Sequence, residues 1–401
     1  MSSTVSRSAR HGARLLAYSH VTVDFYQGAI AALVPFLVVE RGYSYAAAAG
    51  IVLASSLASS IVQPLFGALG DRWQMRWLIP VSIFVGGLGV AGIAFADSLI
   101  ATSLMAALSG IGVAAYHPAG ASRARVISGN DQVVMSWFSL GGNIGFAIAP
   151  LAVAATVGVF GLRASPLLMV PALTGMLAVA LIGSVYTPSS ARLASKQVSG
   201  IDDWRGFIRT SIAIILRSVV FVGMGSFIVL FMHQYRGVSE PVAAASLFVF
   251  YLGGAFGTAL GGYLAKKWQR TSILRWAYLV SVPVIAGMLL VPGPAAFIFI
   301  ALASVVLYVP FSLHVTLGQD YLPRHMGTAS GVTLGLAVSC GGLASPAIGA
   351  LADNVGLEYA LLPLIVLPAI AFVVLIGLKD PELTNSHSVA VAPSDSKNSS
   401  S

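Results

Sequence analysis

The chain reads as an all-α polytopic membrane protein, with twelve transmembrane helices arranged as two six-helix halves. Three observations lead there. Of its 401 residues 57% are hydrophobic and only 9% charged, whereas soluble domains carry about 25% charged residues. Twelve stretches are apolar over roughly the 20 residues that a helix needs to cross a bilayer. The second six of these repeat landmarks of the first at a nearly constant offset. A soluble protein of this length could not bury so much apolar surface. The formal charge of +8 does not point to nucleic acid, because the basic residues lie between apolar runs rather than on one face.

The spans fall at residues 14–39, 44–70, 77–96, 99–125, 132–160, 164–186, 208–234, 241–265, 272–292, 295–322, 326–352 and 357–378. The Arg-bearing segment 1–13 could open a signal peptide, but the apolar run from Leu15 to Val39 is too long for one and lacks a clear cleavage site. It reads as a first helix that stays, behind a cytoplasmic N-terminal tail over 1–13. The longest polar break lies halfway along and reads as a cytoplasmic linker over 187–207. It separates an N-terminal half over 14–186 from a C-terminal half over 208–383. The Ser-rich stretch 384–401 reads as a disordered cytoplasmic tail. The single cysteine, Cys340, lies in an apolar segment, so no intramolecular disulfide is available and the redox compartment is unreadable.

Basic residues orient the spans. Eighteen of the 22 Lys and Arg residues fall on the side that holds the N-terminus, three (Arg41, Arg163 and Arg236) on the other, and Arg217 within a span. The positive-inside rule then puts both termini in the cytoplasm of a multi-pass protein of the cell (plasma or inner) membrane.

The halves repeat. "RGYS" at Arg41 recurs as "RGVS" at Arg236, and "GALGDRWQ" at Gly67 recurs as "GYLAKKWQ" at Gly262, both 195 residues on. His117 and His314 are 197 apart, and Pro150 and Pro346 are 196 apart. Parallel repeats of this kind mark a large secondary-transporter architecture whose substrate site lies between the halves near the midplane.

Over nearly its whole length the chain resembles the major facilitator superfamily. The loop "GALGDRWQMR" resembles that superfamily's signature, with Gly67, Asp71, Arg72 and Arg76 in the usual places. "HVTVDFYQGAIAALVP", "GIGVAAYHPAGASRAR" and "SLGGNIGFAIAP" are similar to the fosmidomycin-resistance family of efflux proteins. The resemblance implies the major facilitator fold, a cavity lined by spans 1, 4, 7 and 10, and a cytoplasmic charge latch made by Gly67, Asp71, Arg72 and Arg76. Two departures stand out. The arginine that many proton-coupled members carry early in span 4 would fall at Ala106, and the antiporter motif of span 5 is only approximated by Gly141, Gly145 and Pro150. In the second half Lys266 replaces the signature aspartate.

The polar groups inside the spans are the candidate site. Asp24 lies about 15 Å deep, Arg217 about 14 Å, and His117 and His314 about 12 Å, at 1.5 Å per helical residue. All four therefore share one layer, and they come from spans 1, 4, 7 and 10. A carboxylate at the bilayer centre costs about 2.5–3.5 kcal/mol on insertion scales, so Asp24 is expected to face a wet cavity. His20, Asp24 and Gln27 fall within about 60° of one another and form one polar stripe. If the proton affinity of Asp24 changes as the cavity opens to one side or the other, Asp24 can carry a proton, with His20 beside it. The alternative is a permanent pair with Arg217 or His117 that only holds the halves together. Arg217 itself has two readings, a fork for an anionic substrate group or the counter-ion of Asp24. His117 stands beside Pro118, so it either lines the cavity or binds a freed backbone carbonyl. Tyr26, Tyr116, His117, His314 and Gln27 complete the expected substrate cavity. The small residues Gly141, Gly145, Gly253, Gly257 and Gly261, at four-residue spacing, predict close packing between halves.

The resulting expectation is a secondary active transporter working by alternating access: a proton-coupled antiporter exporting small drug-like or anionic organic molecules, or alternatively a proton symporter taking up an organic acid or sugar. No nucleophile–base pair, phosphate loop or metal-ligand spacing suggests an enzyme, and no soluble sensor domain suggests a receptor. No cofactor and no metal is expected, since two histidines and one aspartate would have to come from distant spans. The expected partners are a small-molecule substrate, protons and the lipid bilayer, and the chain is expected to act as a monomer.

Overall fold

In the computed structural model the described residues are 7–43, 45–73, 75, 77–128, 131–185 and 200–381. Arg76 of the expected latch, residues 187–199 of the expected linker and the 384–401 tail lie outside them. The N-terminal half comprises α1 (Arg7–Arg41), α2 (Tyr45–Arg72), α3 (Leu78–Gly92), α4 (Leu99–Ser128), α5 (Gln132–Phe160) and α6 (Val170–Val185). Short 3₁₀ segments, Ile93–Phe95 and Leu162–Met169, follow α3 and precede α6. The C-terminal half comprises α7 (Trp204–Gln234), α8 (Glu240–Leu264), α9 (Arg270–Leu290), α10 (Ala295–Tyr308 and Phe311–Tyr321), α11 (Met326–Gly331 continued by Ala337–Val355) and α12 (Leu357–Leu361 and Pro363–Leu375). Eleven stretches are long and apolar enough to cross a membrane. The 35 residues of α1, about 52 Å at 1.5 Å per residue, supply the twelfth. Most helices carry the expected spans to within a few residues; α1 instead starts at Arg7, inside the segment read as a tail, and the span expected from 164 opens with the 3₁₀ segment Leu162–Met169 before α6 begins at Val170.

Local chemistry explains the ends. The Asp131 carboxylate accepts from the backbone N–H groups of Val133 and Val134 and caps α5, and Asp203 accepts from Gly206 to cap α7. Gly42 and Gly237 follow α1 and α7 at φ +65° and +64°, and Gly161 and Gly356 follow α5 and α11 at +76° and +88°. Each pair is 195 residues apart, so the repeat extends to the left-handed turns that only glycine adopts cheaply. Two interruptions are not obvious from hydropathy. At Val309–Pro310 the proline removes a backbone donor and α10 breaks. In α11 a π-helical stretch runs over Val332–Leu336.

Within the N-terminal half α1 packs on α5, and α2 and α3 pack on α4. In the other half α7 packs on α11, α8 on α10 and α9 on α12. The N-terminal half has one apolar core, joined by Val315 and Leu334 of the other half, and the C-terminal half has two. The outer surface is also apolar, with Leu151, Phe160, Leu177, Phe248, Phe256 and Ile298 exposed, a patch far beyond what soluble monomers present. Trp73 and Trp268, again 195 apart, are exposed beside the basic loops, where indoles anchor at the membrane–water boundary.

The glycine stripes correct one expectation. A Cβ at Gly141 or Gly145 would collide with the Ala17 or Val21 carbonyl of α1, and one at Gly257 or Gly261 with the Val305 or Val309 carbonyl of α10. These contacts lie inside one half, not between halves. Spacing reveals that a helix is approached closely but not by which neighbour. The stripes rigidify each six-helix body, and other glycines serve the interface. Gly67 and Gly327 bring α2 and α11 backbone to backbone, with no room for a Cβ on either.

Candidate functional site

The two halves meet at one end. Asp71, at the end of α2, accepts hydrogen bonds from the Gly327 N–H (2.6 Å), the Thr328 N–H (2.8 Å) and the Thr328 hydroxyl (2.7 Å) at the start of α11. A carboxylate there satisfies unpaired N–H groups and meets the positive end of the helix dipole. Gly67 permits that approach, and Arg72 is exposed nearby. Lys266, the counterpart of Asp71, instead lies 4.9 Å from the Tyr263 ring centroid, and α5 is capped by its own Asp131. Arg125 pairs with Asp320, which also binds Arg270 (2.5 Å), and Arg270 in turn binds Asp380 (2.5 Å). Higher up, Thr316 donates to Gln132 Oε1 (2.9 Å), Ser136 meets Ser312 (3.2 Å) and Asn143 donates to Thr258 (3.3 Å). At the opposite end, the described loop contacts stay within one half: Arg41 with Asp97, Glu40 with the Leu162 N–H, and Tyr235 with the Leu357 N–H. The molecule is therefore closed at the Asp71 end.

Sequence reasoning missed the Arg125–Asp320–Arg270–Asp380 chain. A signal was present, because Arg125 and Asp320 are also 195 residues apart, equivalent positions of the repeat with opposite charge.

Above this closure lies Asp24. His117 Nε2 of α4 is 3.1 Å from Asp24 Oδ1, and His20 Nε2, one turn back on α1, is 3.4 Å from Oδ2. The other ring nitrogens are committed: His20 Nδ1 is 2.8 Å from the Phe138 carbonyl and His117 Nδ1 is 2.8 Å from the Val113 carbonyl. A carbonyl only accepts, so each Nδ1 carries the hydrogen. A neutral imidazole then turns a bare Nε2 lone pair toward the carboxylate, and three acceptors face one another. His20 Nε2 and Asp24 Oδ1 accordingly have no hydrogen-bond partner. A shared cation resolves the conflict. The carbonyl that Pro118 frees is that of Ala114, so the His117 bond to Val113 is not a repair of the proline kink.

The neighbours hold this cluster in place. Phe138 stacks on His20 with ring centroids 4.3 Å apart. Tyr116 is fully buried behind it, with its hydroxyl 2.6 Å from Ser19 Oγ and its ring 5.6 Å from His20. Gln27, one turn on from Asp24, lines a recess with Ile30, Ser55, Ser59 and Val113. Tyr26 points the other way. It is buried inside the N-terminal half, with its hydroxyl donating to the Leu168 carbonyl (3.1 Å), and so faces no cavity. The reason is rotational, since two residues from Asp24 is about 200° around a helix.

Arg217 and His314 sit in the other half. Arg217 is 5% exposed; it donates to the Leu307 carbonyl at 3.3 Å and lies 5.4 and 5.3 Å from the Tyr308 and Phe311 ring centroids. Its Nε has no partner, and no described carboxylate lies within ion-pair distance. The Tyr278 hydroxyl donates to the Ala213 carbonyl (3.1 Å), so His314 Nε2, 3.2 Å from that hydroxyl, must donate to it. Nδ1 of His314 is left as an unpartnered acceptor. The repeat-related His117 and His314 thus carry opposite tautomers. Asp24 and Arg217 are not an ion pair: the carboxylate is held by histidines of its own half.

Two six-helix bodies, an apolar outer band and a polar constellation at mid-depth define a polytopic membrane transporter. The chain belongs to the Major Facilitator Superfamily, whose family model matches residues 16–346. It is 29% identical over 386 residues to an uncharacterized MFS-type transporter of Bacillus subtilis strain 168, YfnC, covering 93% of this chain and 94% of that one. It is 28% identical over 375 residues to the fosmidomycin resistance protein of Escherichia coli strain K12, covering 90% of each. Among solved structures, the E. coli fucose:proton symporter FucP superposes with a TM-score of 0.71 at 14% identity, over 90% of this chain and 98% of that one. The human organic anion transporter MFSD10 superposes with a TM-score of 0.69 at 14% identity, over 92% of this chain and all of that one. At such identities the likeness is one of fold.

Proposed function

We propose that this transporter is a proton-coupled antiporter that exports small anionic organic molecules, with separate sites for the proton and the anion. The observation that carries the reading is the separation of charge. Among the described residues the buried guanidinium of Arg217 has no counter-ion, and leaving a buried charge unpaired is costly. An anionic substrate group entering between the halves supplies that counter-ion, with Tyr308 and Phe311 beside it. The His20–Asp24–His117 cluster, which needs a cation, takes the proton. The resistance protein among the relatives favours export.

The experiment is a susceptibility comparison between a strain lacking the protein and one overproducing it, across fosmidomycin and a panel of anionic and neutral compounds. Overproduction is expected to raise tolerance to anionic members selectively. Unchanged tolerance, together with pH-driven uptake of an organic acid or sugar, would establish the symporter reading instead.

The basic loops support cytoplasmic termini, which makes the Asp71 end the cytoplasmic gate and Asp71, Gly67 and Arg72 parts of its latch. In a Cys340→Ser background, cysteines at Gly42 or Arg163 should react with an impermeant maleimide from outside, and cysteines at Trp73 or Lys267 should not. Thr316→Cys is buried at the closure and should become reactive from the cytoplasmic side when Asp71→Asn is added. Each charge-assisted bond to Asp71 is worth about 1.5–3 kcal/mol, enough to shift the gate equilibrium tenfold or more. The reverse labelling pattern would overturn the orientation, and an unaltered Thr316→Cys the latch.

A further inference from the structure

We propose that the His20–Asp24–His117 cluster is also a binding site for a divalent transition-metal ion of the zinc class, which competes with the proton for the same atoms. The sequence argues against metal because it sets Asp24 beside His117 and His314, from three separate spans; the set that folding assembles is another, with His20 and Asp24 one turn apart on α1 and His117 brought in from α4. Folding supplies what spacing does not, for the three ligand atoms all lie within 4.8 Å of one another. Zinc–ligand bonds run about 2.0–2.2 Å, so two ligands at a tetrahedral angle stand roughly 3.4 Å apart. Nε2 of His117 and of His20 stand 3.1 and 3.4 Å from the Asp24 oxygens.

Three further features fit a metal. The donor set, two imidazole nitrogens and one carboxylate, suits zinc, cobalt and nickel rather than magnesium or calcium. Both Nδ1–H groups donate to backbone carbonyls, the outer-shell arrangement that fixes a metal-binding histidine with Nε2 forward. Gly142 leaves space beside the ligand atoms: a Cβ there would collide with Asp24 Oδ2 and come within 2.9 Å of His20 Nε2. Asp24, 16% exposed, leaves one side for a water or a substrate oxygen as fourth ligand. An ion seated there occupies the carboxylate and both lone pairs, so no proton can be loaded and coupled transport stops. Binding does not depend on the proton reading of this cluster, whereas inhibition rests on it.

The test uses full-length protein with its affinity tag removed, in detergent, titrated with Zn²⁺ by calorimetry and with Co²⁺ by visible absorption. One ion per chain is expected, with d–d bands of a low-coordinate cobalt site. Affinity should fall at least tenfold in each of His20→Ala, Asp24→Asn and His117→Ala, and stay unchanged in His233→Ala. Zn²⁺ should inhibit pH-driven transport of the wild type over the same concentration range. Binding that survives the three cluster substitutions, or absence of stoichiometric binding, overturns the metal site. Loss of pH-driven transport in Asp24→Asn without any metal binding leaves the proton reading standing alone. Cluster-dependent binding with transport intact in Asp24→Asn does the reverse.

Discussion

Asp24→Asn is expected to abolish substrate accumulation driven by a pH gradient while leaving expression, insertion and substrate exchange intact. A one-unit gradient supplies about 1.4 kcal/mol per proton, which supports a tenfold accumulation ratio. In the variant that ratio should fall to one, because an amide cannot bind and release the proton. Folding should survive, since the Asn amide N–H can donate to a bare Nε2 of His117 or His20, a contact that the carboxylate cannot make. Measurement in proteoliposomes of uphill transport and of counterflow, side by side, separates lost coupling from lost binding. Asn at this position that still accumulates substrate against its gradient would remove Asp24 from the coupling role.

The second large effect is at Arg217. If the guanidinium grips an anionic group, Arg217→Lys should fail nearly as badly as Arg217→Ala, because a compact ammonium cannot reproduce a two-pronged contact. Losing a charge-assisted hydrogen bond of about 1.5–3 kcal/mol weakens affinity roughly ten- to a hundredfold. The loss should be severe for phosphonates and carboxylates and mild for neutral compounds. Because Asp24 is held by His20 and His117 and not by Arg217, adding Asp24→Asn to Arg217→Ala should repair neither folding nor transport. Equal loss across anionic and neutral substrates would defeat the anion site, and repair by the second substitution would restore the ion-pair reading.

The twelve helices were legible because hydropathy, basic loops and the 195-residue repeat all report on one-dimensional features. The break at Val309–Pro310 was not, since Pro64, Pro118, Pro150, Pro283 and Pro346 sit inside helices that continue through them, and the π-helical stretch over Val332–Leu336 has no signal in hydropathy. Asp24 stood out in the sequence as the one carboxylate at mid-depth. Its partners did not, because they are decided by how α4 is rotated against α1. That rotation is set by contacts such as Tyr116 with Ser19 and Phe138 with His20, which no periodicity encodes. Tyr26 is a cavity candidate in the sequence as an aromatic of span 1, and a rotation of about 200° from Asp24 carries it into the core instead. The glycine stripes announced close packing and left the neighbour open. Arg125 and Asp320 were decipherable in principle, since opposite charges at equivalent repeat positions face each other when two like halves close on a common axis.

On the proposed reading, proton and substrate anion are carried at different places, Asp24 in one half and Arg217 in the other. Proton movement triggered by substrate tests it most directly. Proteoliposomes loaded with an anionic substrate and an entrapped pH dye are diluted into substrate-free buffer. Wild-type protein should acidify the lumen as substrate leaves. Asp24→Asn should give no acidification yet still exchange labelled for unlabelled substrate, and Arg217→Ala should give neither. Acidification by Asp24→Asn equal to that of the wild type would place the proton elsewhere than on Asp24.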